Sequence, residues 1–474
     1  MKVRGRSLVA ALVLAVILIV GFGARRELTS DGWAFAGADS YCYVGAASEL
    51  YAHHRYAFRL PSWSPHSQAN PPLGYCRPPG YSLFLSAVVR QALGKVDESY
   101  SPIFARAIFA QQLLDILTCA LVFLCARRLG GAWVGWLALL CTVLSPSLAL
   151  FSASIQTETL ATFLTTLTMA LLLYVVDASA AALPKKKWAL LAAGLLTALG
   201  MLVRPDGVLL LPCLMIPALL RAVPARAVLL SLLVFALAFS PWPLRNLVRF
   251  GAPHPTGELC DTRGQALRGA GLMSWFATWL AEESELPETL WCILRPECRA
   301  STADYPSWAF DTPAEQQTVE KLLSWRNTEG ISPRVDEGFH VLARERRWRH
   351  PLRSLVVLPA RRLYHLWTTP NIQPLSSSHR TPWLTVVEPL RSVLPALTVT
   401  TTLLGLLGLA VLWVRRRPAA LLLTTAIIFR CGFLSMAGFV EVRYVIELLP
   451  VVLILDAVGV VAFTKMTVHA LTAR

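Results

Sequence analysis

Read from the N-terminus, apolar residues gather into long blocks parted by short charged or proline-containing breaks. Most blocks run about 16–23 residues, the length a helix rising ~1.5 Å per residue needs to cross a bilayer core. The pattern predicts membrane helices near 8–23, 103–125, 133–151, 157–176, 188–203, 207–220, 227–242, 393–414, 418–438 and 445–464. The expected fold is an all-α polytopic membrane protein with about ten transmembrane helices. Two stretches, 24–100 and 243–392, are too polar to span and too long for tight loops. Loops of that length in a compact protein usually carry function. The chain thus divides into a membrane module over 1–251 that includes the first loop, a loop region over 252–392, and C-terminal helices over 393–474.

Composition agrees. Of 474 residues, 55% are hydrophobic and 15% charged, against about 25% charged in soluble domains. The net charge of +15 invites a nucleic-acid reading until its distribution is seen. With the N-terminus inside, the short cytoplasmic pieces are 1–7, 126–131, 177–187, 221–226, 415–417 and 465–474. Together they hold fifteen Lys and Arg and a single acid, Asp177. The positive-inside rule accounts for that bias, so no nucleic-acid partner is implied. Both termini are then cytoplasmic and both long loops face the outer (periplasmic or extracellular) side. Lys2, Arg4 and Arg6 ahead of an apolar run resemble a signal peptide, but Gly21-Phe22-Gly23-Ala24 is a poor cleavage site. An uncleaved first helix is expected.

Five of the ten cysteines, Cys42, Cys76, Cys260, Cys292 and Cys298, lie on the outer side, where disulfides persist. Cys292 and Cys298 are close enough in sequence to pair, and Cys42–Cys76 would staple the first loop, though spacing does not settle connectivity. Cys119, Cys125, Cys141, Cys213 and Cys431 fall in predicted helices as small apolar residues. Asp115, Asp456 and Arg430 fall inside predicted spans, where charge is costly enough to need partners. In the second loop, the acids Glu282, Glu283, Glu285 and Glu288 and the basic run Arg344–His350 read as solvated faces. The following stretch Leu355–Trp367 reads as an interfacial helix.

The candidate chemistry sits at outer helix ends. Asp39 opens a segment with helical apolar spacing, Tyr43, Ala46, Ala47 and Leu50, and serves as an N-cap or as a carboxylate facing the membrane surface. The first loop closes with Arg77-Pro78-Pro79-Gly80-Tyr81, a rigid turn with an aromatic anchor. Arg77, Arg204, Arg245 and Arg443 all fall at outer helix ends, where each either reaches to headgroups or binds phosphate bidentately. Glu158 opens a helix, where an acid also complements the dipole.

Asp39 with Tyr41, followed by Arg77-Pro78-Pro79-Gly80-Tyr81-Ser82-Leu83-Phe84-Leu85, resembles the GT-C glycosyltransferases. More closely the chain is similar to the bacterial glycosyltransferase family 39-like branch, relatives of protein O-mannosyltransferases and lipid A aminoarabinose transferases. Further matches are Ile155-Gln156-Thr157-Glu158, Leu202-Val203-Arg204-Pro205-Asp206-Gly207, Pro241-Trp242-Pro243-Leu244-Arg245-Asn246 and Arg443-Tyr444. The resemblance covers 8–251 well and 393–464 loosely; 252–392 matches nothing placed. It implies a GT-C-like bundle whose outer rim holds the active site, with interfacial helices in the outer loops. It implies an inverting hexosyl- or pentosyltransferase using a polyprenyl-phosphate sugar donor and a lipid, glycan or protein acceptor. On that reading Asp39 is the base and Glu158 a second acid. Arg77, Arg204, Arg245 and Arg443 bind the donor phosphate, and Tyr41, Tyr81, Asn246 and Tyr444 position substrate. The sequence itself indicates no cofactor and leaves the need for a divalent metal open. Two rivals stand beside this reading. A flippase or transporter of lipid-linked glycans would be expected to show repeats and broken midplane helices. A non-catalytic assembly factor would not need these acids and arginines.

Overall fold

The computed structural model describes residues 2–29, 38–58, 73–74, 77–90, 93, 101–256, 269–282, 285, 298–371, 392–438 and 441–472. Cys76, Cys260, Cys292, Glu283 and Glu288 lie outside them. The regular elements among the described residues are helices, apart from an isolated antiparallel bridge between Ala57 and Leu73. The first part of the chain forms α1 (Lys2–Glu27), α2 (Ala38–His53), α3 (Gly80–Val89), α4 (Ser101–Gly130), α5 (Ala132–Val143), α6 (Pro146–Ser152) and α7 (Glu158–Asp177). There follow α8 (Leu183–Val203), α9 (Leu211–Leu219), α10 (Ala225–Phe239) and α11 (Pro241–Phe250). The second loop region contributes α12 (Ala270–Phe276), α13 (Pro313–Glu329), α14 (Pro333–Arg349) and α15 (Leu358–Thr368). The chain ends in α16 (Leu394–Arg415), α17 (Arg417–Met436) and α18 (Leu449–Thr472).

Among the described residues seven helices are long and apolar enough to cross a membrane, or nine if each of two bent pairs counts as one span. The bends are 53° between α5 and α6 and 40° between α10 and α11, and both occur at proline. Pro146 starts α6 after Ser145, whose hydroxyl accepts from the Leu148 N–H; Pro241 starts α11. A proline at the first helical position lacks only a donor that the helix would leave unused. The tenth span, expected over 207–220, is instead a 3-10 stretch Pro205–Leu210 followed by the short α9, with Pro217 inside it. Leu210, Cys213 and Leu214 nevertheless bury into the bundle core beside Leu172, Leu190 and Leu423.

Two of the three intramembrane charges have partners. Arg25 of α1 pairs with Asp115 of α4, both almost wholly buried, and also donates to the Val143 carbonyl at 2.9 Å. Arg430 pairs with Asp206 and Glu447. Asp456, also buried, forms no ion pair among the described residues, contrary to expectation. The Cys42–Cys76 staple expected in the first loop involves Cys76, which lies outside the described residues; Cys298 is disulfide-bonded.

The second loop region has its own aromatic core. Trp275 is fully buried and meets Trp279 and Tyr305 edge-on, each at 5.5 Å. The basic run is only partly a solvated face: Arg346 is buried against Glu315 and lies 3.1 Å from Asp311, while Arg344, Arg347 and Arg349 are exposed. In the stretch read as interfacial, Arg362 is buried and donates to the carbonyls of Ala277 and Leu280, both at 2.6 Å, and of Ser435 at 2.8 Å. Burial pushes its pKa down to about 10. This one side chain ties α12 and α15 to the end of α17.

α7 gives the bundle a ruler. Its twenty residues span about 30 Å, the thickness of a hydrocarbon core. At its last residue, Asp177 takes Arg128 at 2.6 Å and Arg416 at 3.2 Å, bringing three expected cytoplasmic pieces together. At its first residue, Glu158, the opposite end begins.

Candidate active site

Asp39 stands in the first turn of α2, where a carboxylate meets the positive end of the helix dipole. Its Oδ1 accepts from Arg77 Nη2 at 2.6 Å, and its Oδ2 lies 3.8 Å from Arg443. Arg77 gets there through the proline turn that follows it. A Cβ on Gly80 would fall 2.6 Å from the Leu202 backbone, so the start of α3 can lie against the end of α8 only as glycine. The Arg77 guanidinium also covers the Tyr43 ring at 5.4 Å and donates to its hydroxyl at 3.3 Å. Burial works to lower the Arg77 pKa, but Tyr43, Asp39 and Cys42 hold it above its ordinary value. Burial pushes the Tyr43 phenol up, against the pull of Arg77.

Arg204 follows α8 in extended conformation, as a residue preceding proline should. It donates from Nη1 to Glu158 Oε1 at 2.9 Å and to Thr157 Oγ1 at 3.1 Å, and its Nε lies 2.8 Å from Glu447 Oε1. Asp206 is 3.4 Å away. Burial opposes its charge, yet Asp206, Glu158 and Glu447 raise its pKa well above the usual value. Behind it, Arg430 reaches Asp206 and Glu447, each at 3.0 Å. Arg443 pairs with Glu441 at 2.6 Å and lies 3.7 Å from Glu158. The Tyr444 ring takes Arg204 on its face at 5.2 Å and Arg443 at 5.7 Å.

These groups surround a cavity of about 320 Å³ lined by Asp39, Arg77, Glu158, Arg204, Arg443 and Tyr444, with Phe433 and Leu434 as an apolar wall. Four sequence candidates do not line it. Arg245 donates to the carbonyls of Gly74 at 2.6 Å and Tyr56 at 3.1 Å, holding the first loop to α11. Asn246 is buried, accepting from Arg245 and donating to the His254 carbonyl. Tyr81 lies beneath Tyr43, its ring 4.9 Å away and its hydroxyl on Gln111. Tyr41 stands beside Phe104 at 6.2 Å. Conversely, Asp206, Arg430, Glu441 and Glu447 belong to the charge network without having been assigned to the site from sequence. Among the described residues no group of three or more His, Cys, Asp or Glu is placed to hold a metal.

Residues 102–244 match the family of dolichyl-phosphate-mannose-protein mannosyltransferases. The archaeal oligosaccharyltransferase AglB of Archaeoglobus fulgidus, in complex with an inhibitory peptide and a dolichol-phosphate, aligns over 97% of this chain and 51% of its own at 13% identity and a TM-score of 0.50. The Archaeoglobus fulgidus oligosaccharyltransferase tethered to an acceptor peptide aligns over 96% and 50% at 12% identity and a TM-score of 0.51. This chain has the GT-C fold. Apo ArnT from Cupriavidus metallidurans aligns over 97% of this chain and 77% of its own at 15% identity and a TM-score of 0.37. The chain spans about half the length of the two oligosaccharyltransferases. No curated protein matches it by sequence. The family match runs from α4 into α11 and includes Glu158 and Arg204; Asp39, Arg77 and Arg443 come from outside it.

Proposed function

We propose that the chain is an integral membrane glycosyltransferase that moves one sugar, with inversion, from a polyprenyl-phosphate carrier to an acceptor hydroxyl at the outer face. The observation that carries this reading is the meeting of Asp39, Arg77, Glu158 and Arg443 around one cavity at the bundle end opposite Asp177. The basic bias of the pieces near Asp177 supports a cytoplasmic side there and an outer-facing cavity. A lipid phosphate donor suits a cavity at membrane height, and a GT-C relative is known with dolichol-phosphate bound.

In the reaction the acceptor oxygen attacks the anomeric carbon opposite the phosphate. The new C–O bond forms as the bond to the phosphate oxygen breaks, and that oxygen keeps the electron pair. Asp39 accepts the hydroxyl proton, the work of a positioned base. Arg77 and Arg443 bear the charge growing on the departing phosphate. Arg204, already surrounded by Glu158, Asp206 and Glu447, holds Glu158 for the acceptor rather than taking phosphate itself. A single displacement inverts the anomeric configuration.

The test is transfer of labelled sugar from synthetic polyprenyl-phosphate donors in membranes with and without the chain. The expected result is chain-dependent labelling of a product with inverted anomeric configuration. Labelling from nucleotide sugars alone, or retained configuration, would overturn the reading.

A further inference from the structure

α16 crosses α18 backbone to backbone. A Cβ on Gly408 would lie 1.9 Å from the Leu455 carbonyl oxygen, and one on Gly459 2.3 Å from that of Leu404. Small residues permit this approach where lipid supplies no hydrophobic drive. Beside this crossing Val411, Val458 and Val461 line a gap, and the α4–α5 turn at Gly130–Gly131 comes alongside. A cavity of about 370 Å³ opens there, at the Asp177 end of the bundle and remote from the charge network at the other end. Its walls are apolar, with Leu129, Val134 and Leu412 buried behind them. Its rim carries Arg415, Arg416 and Lys465, and among the described residues no carboxylate lines it. Arg415 and Lys465 are exposed, and Arg416 spends part of its charge on Asp177 at 3.2 Å. The N-terminus of α5 adds partial positive charge. Exposed Trp133 and Trp188 mark the same end as the level of the membrane–water interface.

An apolar slot between spanning helices with a cationic mouth has the chemistry of a phospholipid: chains and glycerol below, phosphate above. Zwitterionic headgroups bring their own cation to a rim that already has three, so a net-negative lipid is favoured. We propose that this cavity holds an anionic phospholipid of the leaflet on that side, its phosphate against Arg415, Arg416 and Lys465. The site is independent of the catalytic reading.

The test is native mass spectrometry of the purified full chain titrated with phosphatidylglycerol, phosphatidylcholine of the same acyl chains, and glycerol 3-phosphate. The site predicts phosphatidylglycerol retained at least about tenfold better than either of the others. Arg415→Ala/Arg416→Ala/Lys465→Ala should weaken retention by about fivefold per charge. Val461→Trp, which fills the slot and leaves the rim intact, should also release the lipid. Equal retention of the two lipids would overturn the proposal, as would unchanged binding in the rim variant. Glycerol 3-phosphate binding as well as the lipid would leave only a small-anion site. Full retention by Val461→Trp would reduce the rim to surface attraction. If Val461→Trp fails to fold, the rim variant and the lipid comparison decide the matter.

Discussion

Glu447 is the buried carboxylate on which Arg204 and Arg430 both depend. It is 3% exposed, with Arg204 at 2.8 Å and Arg430 at 3.0 Å from the same oxygen. Glu447→Gln keeps the volume and removes the charge. Breaking a buried pair from one side costs about 3–5 kcal/mol, because a desolvated charge is left behind. Here Arg430 keeps Asp206 at 3.0 Å and Arg204 keeps Glu158 at 2.9 Å, so the loss should fall near the lower figure. For a chain of 474 residues that corresponds to a melting temperature lower by roughly 3 °C, read by tryptophan fluorescence in detergent. Removing both charges, as Glu447→Leu/Arg430→Met, should cost less than the sum of the singles by about 1.5 kcal/mol or more, since neither ion is orphaned. A Glu447→Gln protein melting within about 1 °C of wild type, or strictly additive singles, would refute the network as a mutually dependent unit.

Two further outcomes separate site from scaffold. Arg443→Ala should weaken use of the donor by about 10- to 150-fold through loss of a contact worth ~1.5–3 kcal/mol, with Arg443→Lys recovering part; Arg245→Ala, whose guanidinium holds backbone carbonyls, should lower thermal stability without a donor-specific change in KM. In the second loop region, burial works to raise the Asp311 pKa, but hydrogen bonds from Arg353 and the charges of Arg346 and Arg353 lower it below 3.8. Its contribution is complete above the unfolded value of about 3.9 and is lost as pH falls through the lower folded value. Near-UV circular dichroism of the tryptophan cluster should therefore collapse below about pH 4 in wild type, and Asp311→Asn should remove that component of the acid transition.

Much of the fold was legible because its strongest determinant is local: a run of apolar residues long enough to cross a bilayer. The bends at Pro146 and Pro241 were less so, since an uninterrupted apolar block hides a change of direction, and α9 shows that such a block can also fold as a short helix tucked into the bundle. Within the site, Asp39, Arg77, Glu158, Arg204, Arg443 and Tyr444 were visible as polar residues at helix ends and do line one cavity. Glu447 was not, because it lies inside an apolar stretch and its partners are Arg204 and Arg430, far off in sequence. Arg245 shows the opposite failure. It occupies the same kind of helix end as the others, but residue type cannot tell an anion-binding guanidinium from one spent on the carbonyls of Gly74 and Tyr56.

The most direct test of the proposed chemistry is the transfer rate of purified Asp39→Asn. The amide keeps the size of the side chain and still serves an N-cap, so a merely structural Asp39 would lose at most about 1 kcal/mol. A base that must accept the acceptor's proton cannot be replaced by an amide, and loss of such a group typically lowers rates by ~10²–10⁴. The account predicts a drop of that size at near-normal protein level, with Asp39→Glu also poor because the carboxylate moves relative to the anomeric carbon. Transfer by Asp39→Asn at near wild-type rate would contradict it.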